Sequence, residues 1–362
     1  ELKTRRYFEK PYPALSLLDT IKPSVLINKR PKRILVRGMG LSALDTILTF
    51  ATGAFYRDKQ GILRYDPGGS HAHILAASRS GYFPIVRGIP STPPELKYFT
   101  PEALATVKER NHGYLVLSEL KKLFEQELKE HFGQDFDLTG YFLPKLTAKE
   151  KLRQDIEKAK RGNVVYAICR RILALQLFSQ LQPEDKEYFA KSLRTLFLQN
   201  VAAMPVINAE KILALFDAGI LSTASLGYGG TNVTLGREKL VLEYSESGKT
   251  LRISADYMVQ AAGDELDISH NPDPFIHFLV KQGEIIPDAS GGIKVNLNTY
   301  TVLRRSNTGR EEESGLIYAL GMPVMNWAAE RDFASASIKA AYVIATDWTK
   351  DLKIKPPQPG SS

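Results

Sequence analysis

The segment from Lys32 to about Thr52 constrains this chain more than any other. Lys32–Val36 is a short strand-like run, Gly38-Met-Gly-Leu-Ser-Ala43 interrupts it, and an apolar-periodic helical stretch follows. Strand, glycine turn and helix in that order are what a mononucleotide-binding unit requires. Gly38-x-Gly40-x-x-Ala43 has the form G-x-G-x-x-A, in which each small residue has a geometric task. The first glycine permits the tight turn, the second lets backbone approach a pyrophosphate, and the third small residue lets helix pack closely on strand. The phosphate charge then sits on the helix N-terminus, where free N–H groups and the helix dipole favour an anion. The expected pyrophosphate contacts are Gly38, Met39, Gly40, Leu41, Ser42 and Ala43. A strand–helix turn that binds nothing has the same pattern, and the matching flanks favour the binding reading.

The second strand of such a unit decides between the two nicotinamide dinucleotides. An NAD-specific unit ends it in an acid that accepts bonds from the ribose hydroxyls. Here the second strand, His73–Ala77, comes late, after a hairpin-like excursion over 55–65, and runs into Ser78-Arg79 with no acid nearby. A permanently charged guanidinium makes forked bonds to phosphate oxygens, so Ser78 and Arg79 suit the 2′-phosphate of NADP. A surface arginine at a strand end is the bland alternative. Arg87, in Val86-Arg-Gly88, is a weaker candidate for a phosphate or ribose contact.

The rest of the chain is legible more coarsely. Residues 1–31 read as an arm or linker. From 93 to 220 the pattern is helical, with helices expected at Pro101–Arg110, Ser118–His131, Ala148–Lys160, Val164–Leu181, Pro183–Asn200 and Asn208–Ala218. Strands resume at Ala224–Tyr228, Lys239–Tyr244, Thr250–Ser254 and Tyr257–Ala262, with Glu246-Ser-Gly248 as a hairpin turn. Lys294–Leu303 and Leu316–Leu320 read as strands and Ala334–Thr346 as a helix. The Pro-, Gly- and Ser-rich tail from Lys353 reads as disordered. The expected fold is therefore α/β: a Rossmann-like dinucleotide-binding fold with β-hairpin excursions and a large helical insert.

Composition excludes several functions. The 362 residues hold one cysteine, Cys169, so a disulfide framework and a dithiol relay are both ruled out, and redox chemistry must rest on a bound cofactor. No apolar run approaches the about 18 residues a membrane span needs, and no signal-peptide pattern opens the chain, so no membrane partner and a cytoplasmic location are expected. The net charge of +8 is spread among acids and accompanies no base-reading motif, so nucleic acid is not an expected partner. His71 with His73, and His270 with Asp273 and His277, suggest metal ligands but lack the residues to complete a site. Tyr228-Gly-Gly230 with Thr231 and Asn232 reads as a loop, of interest because it follows a strand of the nucleotide fold.

Ile34-Leu-Val-Arg-Gly-Met-Gly-Leu-Ser-Ala-Leu-Asp45 and Ala77-Ser-Arg-Ser-Gly81 resemble the second dinucleotide fold of bacterial FAD/NAD(P)-binding proteins related to flavin monooxygenases and lysine or ornithine N-hydroxylases. Met204–Glu210, Asp256–Gly263 and Leu316–Pro323 are similar to later landmarks of that group, so the resemblance runs from about Tyr7 to Trp348. It implies an NAD(P)-binding domain over 32–92 and 221–263, the helical insert 93–220, a C-terminal part of an FAD-type domain over 264–350, and a tail over 351–362. It implies that Gly263, in Ala261-Ala-Gly263, closes the NADP fold, and that Gly321 leads into a helix near the flavin. The family opens with another glycine-rich unit for FAD, and residues 1–33 contain none. The chain, which starts with Glu1, is therefore expected to be a fragment lacking that N-terminal segment. The implied cofactors are NADP(H) and, in the full-length protein, FAD. The implied activity is hydride transfer from NADPH to flavin, with an unidentified small-molecule substrate and no nameable catalytic acid, base or nucleophile. A non-catalytic nucleotide sensor and a flavin-free NADP-dependent dehydrogenase remain the competing readings.

Overall fold

The computed structural model describes residues 6–26, 31–69, 72–90, 92, 94–175, 177–236, 238–246, 248–262, 268–271, 273–288, 292–321, 324 and 334–349. The expected tail over 351–362 lies outside them. In chain order the elements are β1 (Tyr7–Phe8), α1 (Ala14–Leu26), β2 (Lys32–Arg37), α2 (Leu41–Phe50), β3 (Ala54–Arg57), β4 (Leu63–Asp66) and β5 (Ala72–Ser78). Then come the helices α3 (Pro101–Arg110), α4 (Leu117–Phe132), α5 (Leu138–Phe142), α6 (Ala148–Lys160), α7 (Val164–Ala174), α8 (Pro183–Tyr188), α9 (Arg194–Val201) and α10 (Val206–Asp217). The chain continues through β6 (Leu221–Ser225), β7 (Thr231–Leu235), β8 (Leu240–Glu246), β9 (Lys249–Ala255), β10 (Tyr257–Gln260), α11 (Pro274–Gln282), β11 (Thr301–Arg305), β12 (Glu311–Tyr318) and α12 (Ala334–Thr349).

Two compact units share these elements. The first comprises 1–98, 124–170 and 194–263, the second 99–123, 171–193 and 264–362. The first is built on a parallel five-stranded sheet of order β1-β10-β2-β5-β6. From β2 the chain steps outward to β5 and β6, then returns to the other flank of β2 as β10. Strand order thus reverses between β2 and β10, which is where open α/β sheets bind ligands. The arm expected at the N-terminus adds β1 to the sheet edge, and its helix α1 buries Leu17 and Ile21 in the core.

The period of two in β2 explains how this sheet is covered on both faces. Ile34 and Val36 point into a core with Ala43, Leu44 and Ile47 of α2 and Ile212 and Leu215 of α10. Leu35, between them, faces the other way, with Ala77 and Met258, into a smaller core closed by Leu240, Leu242 and Ala255 of the antiparallel sheet β7-β8-β9. A strand buried on both faces reads as an unbroken apolar run, as Ile34-Leu-Val36 does. The hairpin excursion is β3–β4, paired from Ala54↔Asp66 to Arg57↔Leu63.

Of the helices in the insert, α6 starts on a reciprocal capping box. Thr147 accepts from the Glu150 N–H while the Glu150 carboxylate accepts from the Thr147 N–H at 2.8 Å. Cys169, on α7, is buried, and that burial pushes its thiol up to about 12. Since the thiolate is the reactive form, the folded chain is expected to resist a pulse of a disulfide reagent that titrates one thiol in denaturant. Stoichiometric labelling without denaturant would show that the α7 packing is wrong.

The second unit holds the antiparallel pair β11–β12 and a core of Ile268, Ile285, Ile293 and Val302, with Tyr300, Val324 and Ala340 in a further cluster. Helix α11 begins on Asp273, whose carboxylate accepts the N–H groups of Phe275 and Ile276, and ends on Gly283 at φ 77°.

Candidate functional site at the switch point

The glycine turn sits at the carboxyl ends of β2 and β10, and its two glycines do different things. At Gly38 the backbone has φ +124°, and an added Cβ would lie 2.2 Å from the Ala261 carbonyl oxygen. The Gly38 N–H donates to the Ala77 oxygen at 2.7 Å and the Ala261 N–H to the Arg37 oxygen at 2.7 Å, so the turn is stitched to both neighbouring strands. Gly38 is therefore a close-approach glycine whose amide is already used. Gly40 is the reverse case. It adopts an ordinary extended conformation, φ −77° and ψ −167°, and a Cβ there would meet nothing within 4 Å. As N-cap of α2 it supplies no side chain, and the first intrahelical bond runs from the Leu44 N–H to its oxygen at 3.0 Å. The first-turn N–H groups of α2 thus have neither a side-chain cap nor an intrahelical acceptor, with open space beside them.

Around this turn, Met39 and Ala43 are buried in the core and Leu41 is exposed. Met39 can offer only backbone to a ligand, and Ala43 performs the packing task of the third small position. Ser42 accepts from the Thr46 hydroxyl through its carbonyl at 2.8 Å. Tyr12, from the N-terminal arm, reaches α2 and donates to the Asp45 carboxylate at 2.8 Å. Its phenol is raised above its ordinary value by partial burial and by that bond.

At the end of β5 the Ser78-Arg79 turn is equally fixed. The Ser78 hydroxyl accepts the Gly81 N–H at 3.0 Å, and the Ser225 hydroxyl donates to the Arg79 carbonyl at 3.0 Å. The Arg79 guanidinium donates to Thr195 of α9 and stands 5.8 Å from the centre of the Tyr228 ring. Among the described residues no carboxylate forms an ion pair with it. A cation displayed on an aromatic face, at the strand end beside the glycine turn, retains its charge for an incoming anion.

Sequence reasoning missed Arg37, the last residue of β2. Its guanidinium donates to Gln260 of β10 at 3.3 Å and to the Thr231 hydroxyl, and among the described residues it too has no acidic partner. It places a second cation one residue before Gly38. The segment after β6 serves both arginines, bringing Tyr228 to Arg79 and Thr231 to Arg37. Only the position of the Tyr228–Asn232 loop after a strand of the nucleotide fold hinted at this.

The remaining candidates fall elsewhere. Arg87 has an exposed side chain in the segment bound to Met204, its N–H donating to the Met204 oxygen at 2.8 Å, and no described contact joins it to the glycine turn. Gly263 and His71 lie outside the described residues. Gly321, at φ 77° after β12, belongs to the second unit. His73 is half-buried near the start of β5, the end opposite Ser78, and burial holds its imidazole below its ordinary pKa. Asp273 caps α11. Among the described residues no cluster of three metal-ligating side chains occurs, and no helix is long and apolar enough to cross a membrane.

No protein-family model matches the chain. It is similar to the uncharacterized protein YdhS of Escherichia coli (strain K12), with 27% identity over 327 residues, covering 80% of this chain and 57% of that protein. The chain therefore spans little more than half of that relative. Among solved structures it is similar to the FAD-bound cadaverine monooxygenase DfoA of Erwinia amylovora, with 12% identity, a TM-score of 0.46 and coverage of 94% of this chain and 55% of that one. It is also similar to L-lysine 6-monooxygenase of Pseudomonas syringae, with 14% identity, a TM-score of 0.46 and coverage of 98% and 60%.

Proposed function

We propose that the first unit binds NADP(H) through its pyrophosphate at the Gly38–Ala43 turn, as part of a flavin-dependent NAD(P)H oxidoreductase. The observation that carries this reading is the contrast between the glycines at the switch point. Gly38 is locked against β10, while Gly40 leaves open the side from which the first-turn N–H groups of α2 are reached. A strand–helix turn with no ligand needs the first glycine, while at the second an N-capping side chain would serve the helix better. The residues also fit the charge of the group, since Arg37 and Arg79 flank the turn and neither is neutralised by a described acid.

The division of labour follows from placement. The N–H groups of Leu41, Ser42 and Ala43 hold the pyrophosphate, with Arg37 offsetting its charge. Arg79 takes the 2′-phosphate, with the Tyr228 ring and Thr195 holding the guanidinium in place. The nicotinamide supplies a hydride, and the sequence resemblance implies FAD as its acceptor. No described side chain is required to move a proton for that transfer, in keeping with the lack of a nameable acid or base.

Calorimetric titration with NADPH and NADH tests this reading. The wild-type chain is expected to prefer NADPH. Arg79→Ala is expected to weaken NADPH by roughly 10–100-fold, the value of one charge-assisted hydrogen-bonding group, while changing NADH by less than about threefold. Equal losses for the two dinucleotides would remove Arg79 from the 2′-phosphate, and failure of both to bind wild type would leave the turn structural.

A further inference from the structure

The first unit contains a cavity of about 210 Å³, between α5, α6 and α9 and the irregular segment that follows β5, whose lining includes no residue of the glycine turn. Its walls divide by chemistry. Phe83, Ile85, Tyr141 and Phe142 supply apolar and aromatic surface, and α6 supplies Lys151, Asp155 and Lys158. These three charges do not cancel. Lys151 and the buried Asp155 form an i,i+4 ion pair at 2.5 Å, which consumes the one described carboxylate of the lining. Lys158, one turn further on, has no carboxylate within ion-pair distance among the described residues. Its ammonium stands 4.3 Å from the centre of the Tyr141 ring.

A half-buried ammonium set on an aromatic face, with no carboxylate in ion-pair distance among the described residues, is an incomplete arrangement. Burial pushes Lys158 below the ordinary lysine range and the Lys151 charge adds to this, while Asp155 opposes it. A guest that brings a negative charge would restore what burial removes. The guest must also be small, since the cavity is below the about 300–1,000 Å³ of sites that hold drug-sized ligands. Its body must suit the aromatic lining of Phe83, Tyr141 and Phe142, which favours an apolar ring.

We infer that this cavity binds a small organic monoanion with a flat apolar body, of the aromatic carboxylate class, with Lys158 as the counter-charge and the Lys151–Asp155 pair as a neutral neighbour. Helix α9 connects it to the dinucleotide-site candidates. Asn200 lines the cavity, while Thr195 and Gln199 on the same helix bond Arg79 and Ser80. The inference does not rest on dinucleotide binding and is tested without it.

The probes are benzoate, its neutral isostere benzamide, and inorganic phosphate, each titrated calorimetrically into the whole chain. Benzoate is expected to bind saturably at one site, with benzamide and phosphate weaker by roughly tenfold or more, because each lacks either the charge or the body. Lys158→Met keeps the length and apolar stem and removes the charge. It is expected to lower benzoate affinity to the benzamide level while melting no earlier than wild type, since it removes a half-buried cation that has no ion-pair partner among the described residues. If it melts early, Lys158→Gln is used for the same comparison. Absence of saturable benzoate binding, equal affinity for benzamide or phosphate, or unchanged benzoate affinity in the folded neutral variant would each overturn the assignment.

Discussion

Gly38→Ala is expected to destabilise the first unit by about 4 kcal/mol or more, lowering its melting midpoint by roughly 10 °C. Two independent costs combine at this position. The φ of +124° is a conformation that side chains avoid, worth about 1–3 kcal/mol of strain. The added methyl also meets backbone, with the Ala261 oxygen at 2.2 Å, its carbonyl carbon at 2.4 Å and the Ala262 nitrogen at 2.7 Å. Backbone cannot rotate away as a long side chain can. Moving β10 away from the turn would break the bond from the Ala261 N–H to Arg37, and moving the turn away from β10 would strain the bond from the Gly38 N–H to Ala77 of β5, each worth about 1 kcal/mol. Thermal unfolding followed by far-UV circular dichroism reads the effect. A variant that melts within about 2 °C of wild type would mean that β10 does not approach the turn so closely.

The same segment shows what sequence alone can carry. Gly38, Gly40 and Ala43 were legible because their tasks are local: a turn, an open backbone and a helix packed on its own preceding strand all lie within a few residues. The Rossmann-like α/β fold was also legible, through the order of strand, glycine turn and helix over 32–52. Arg37 was not, because its partners Thr231 and Gln260 come from 194 and 223 residues further along the chain. Periodicity within a strand says nothing about which strand lies beside it. The cation–aromatic pair of Arg79 and Tyr228 escaped for the same reason, although Arg79 itself was singled out by its place at a strand end.

Other misses have different causes. Strand β7 was hidden by Gly229-Gly230 and by its polar, partly exposed residues, among which only Val233 and Leu235 are apolar. Helix α11 carried ordinary signals: Asp273 as cap, Pro274 in the first turn and Gly283 as stop. Asp273 and His277, suggestive of metal ligands in the sequence, are the cap of this helix and a residue within it. Strand β11 begins at Thr301 rather than at the expected Lys294, because a turn bonded through Asn296 carries Tyr300 to φ 61° and interrupts the extended run.

At Gly40 stability and binding are expected to move in opposite directions. Gly40→Asp places at the N-cap of α2 a residue that caps better than glycine, by a few tenths of a kcal/mol, and that interacts favourably with the helix dipole, by about 0.3–1 kcal/mol. The extended backbone accepts the side chain, and no atom lies within 4 Å of the new Cβ. The variant should therefore melt at or slightly above the wild-type temperature. Its carboxylate, however, would accept the first-turn N–H groups that a pyrophosphate needs and would set a negative charge against it. Losing two charge-assisted hydrogen bonds, at about 1.5–3 kcal/mol each, weakens NADPH by roughly a hundredfold or more. The pairing with Gly38→Ala is what gives the measurement its force. A turn that is only structural predicts that every substitution acts through stability, so a more stable Gly40→Asp that still binds NADPH as wild type does would sink the placement of the pyrophosphate at this turn. A stable variant that no longer binds would separate the two glycines by function: one holds the strands together, and the other leaves room for the phosphate.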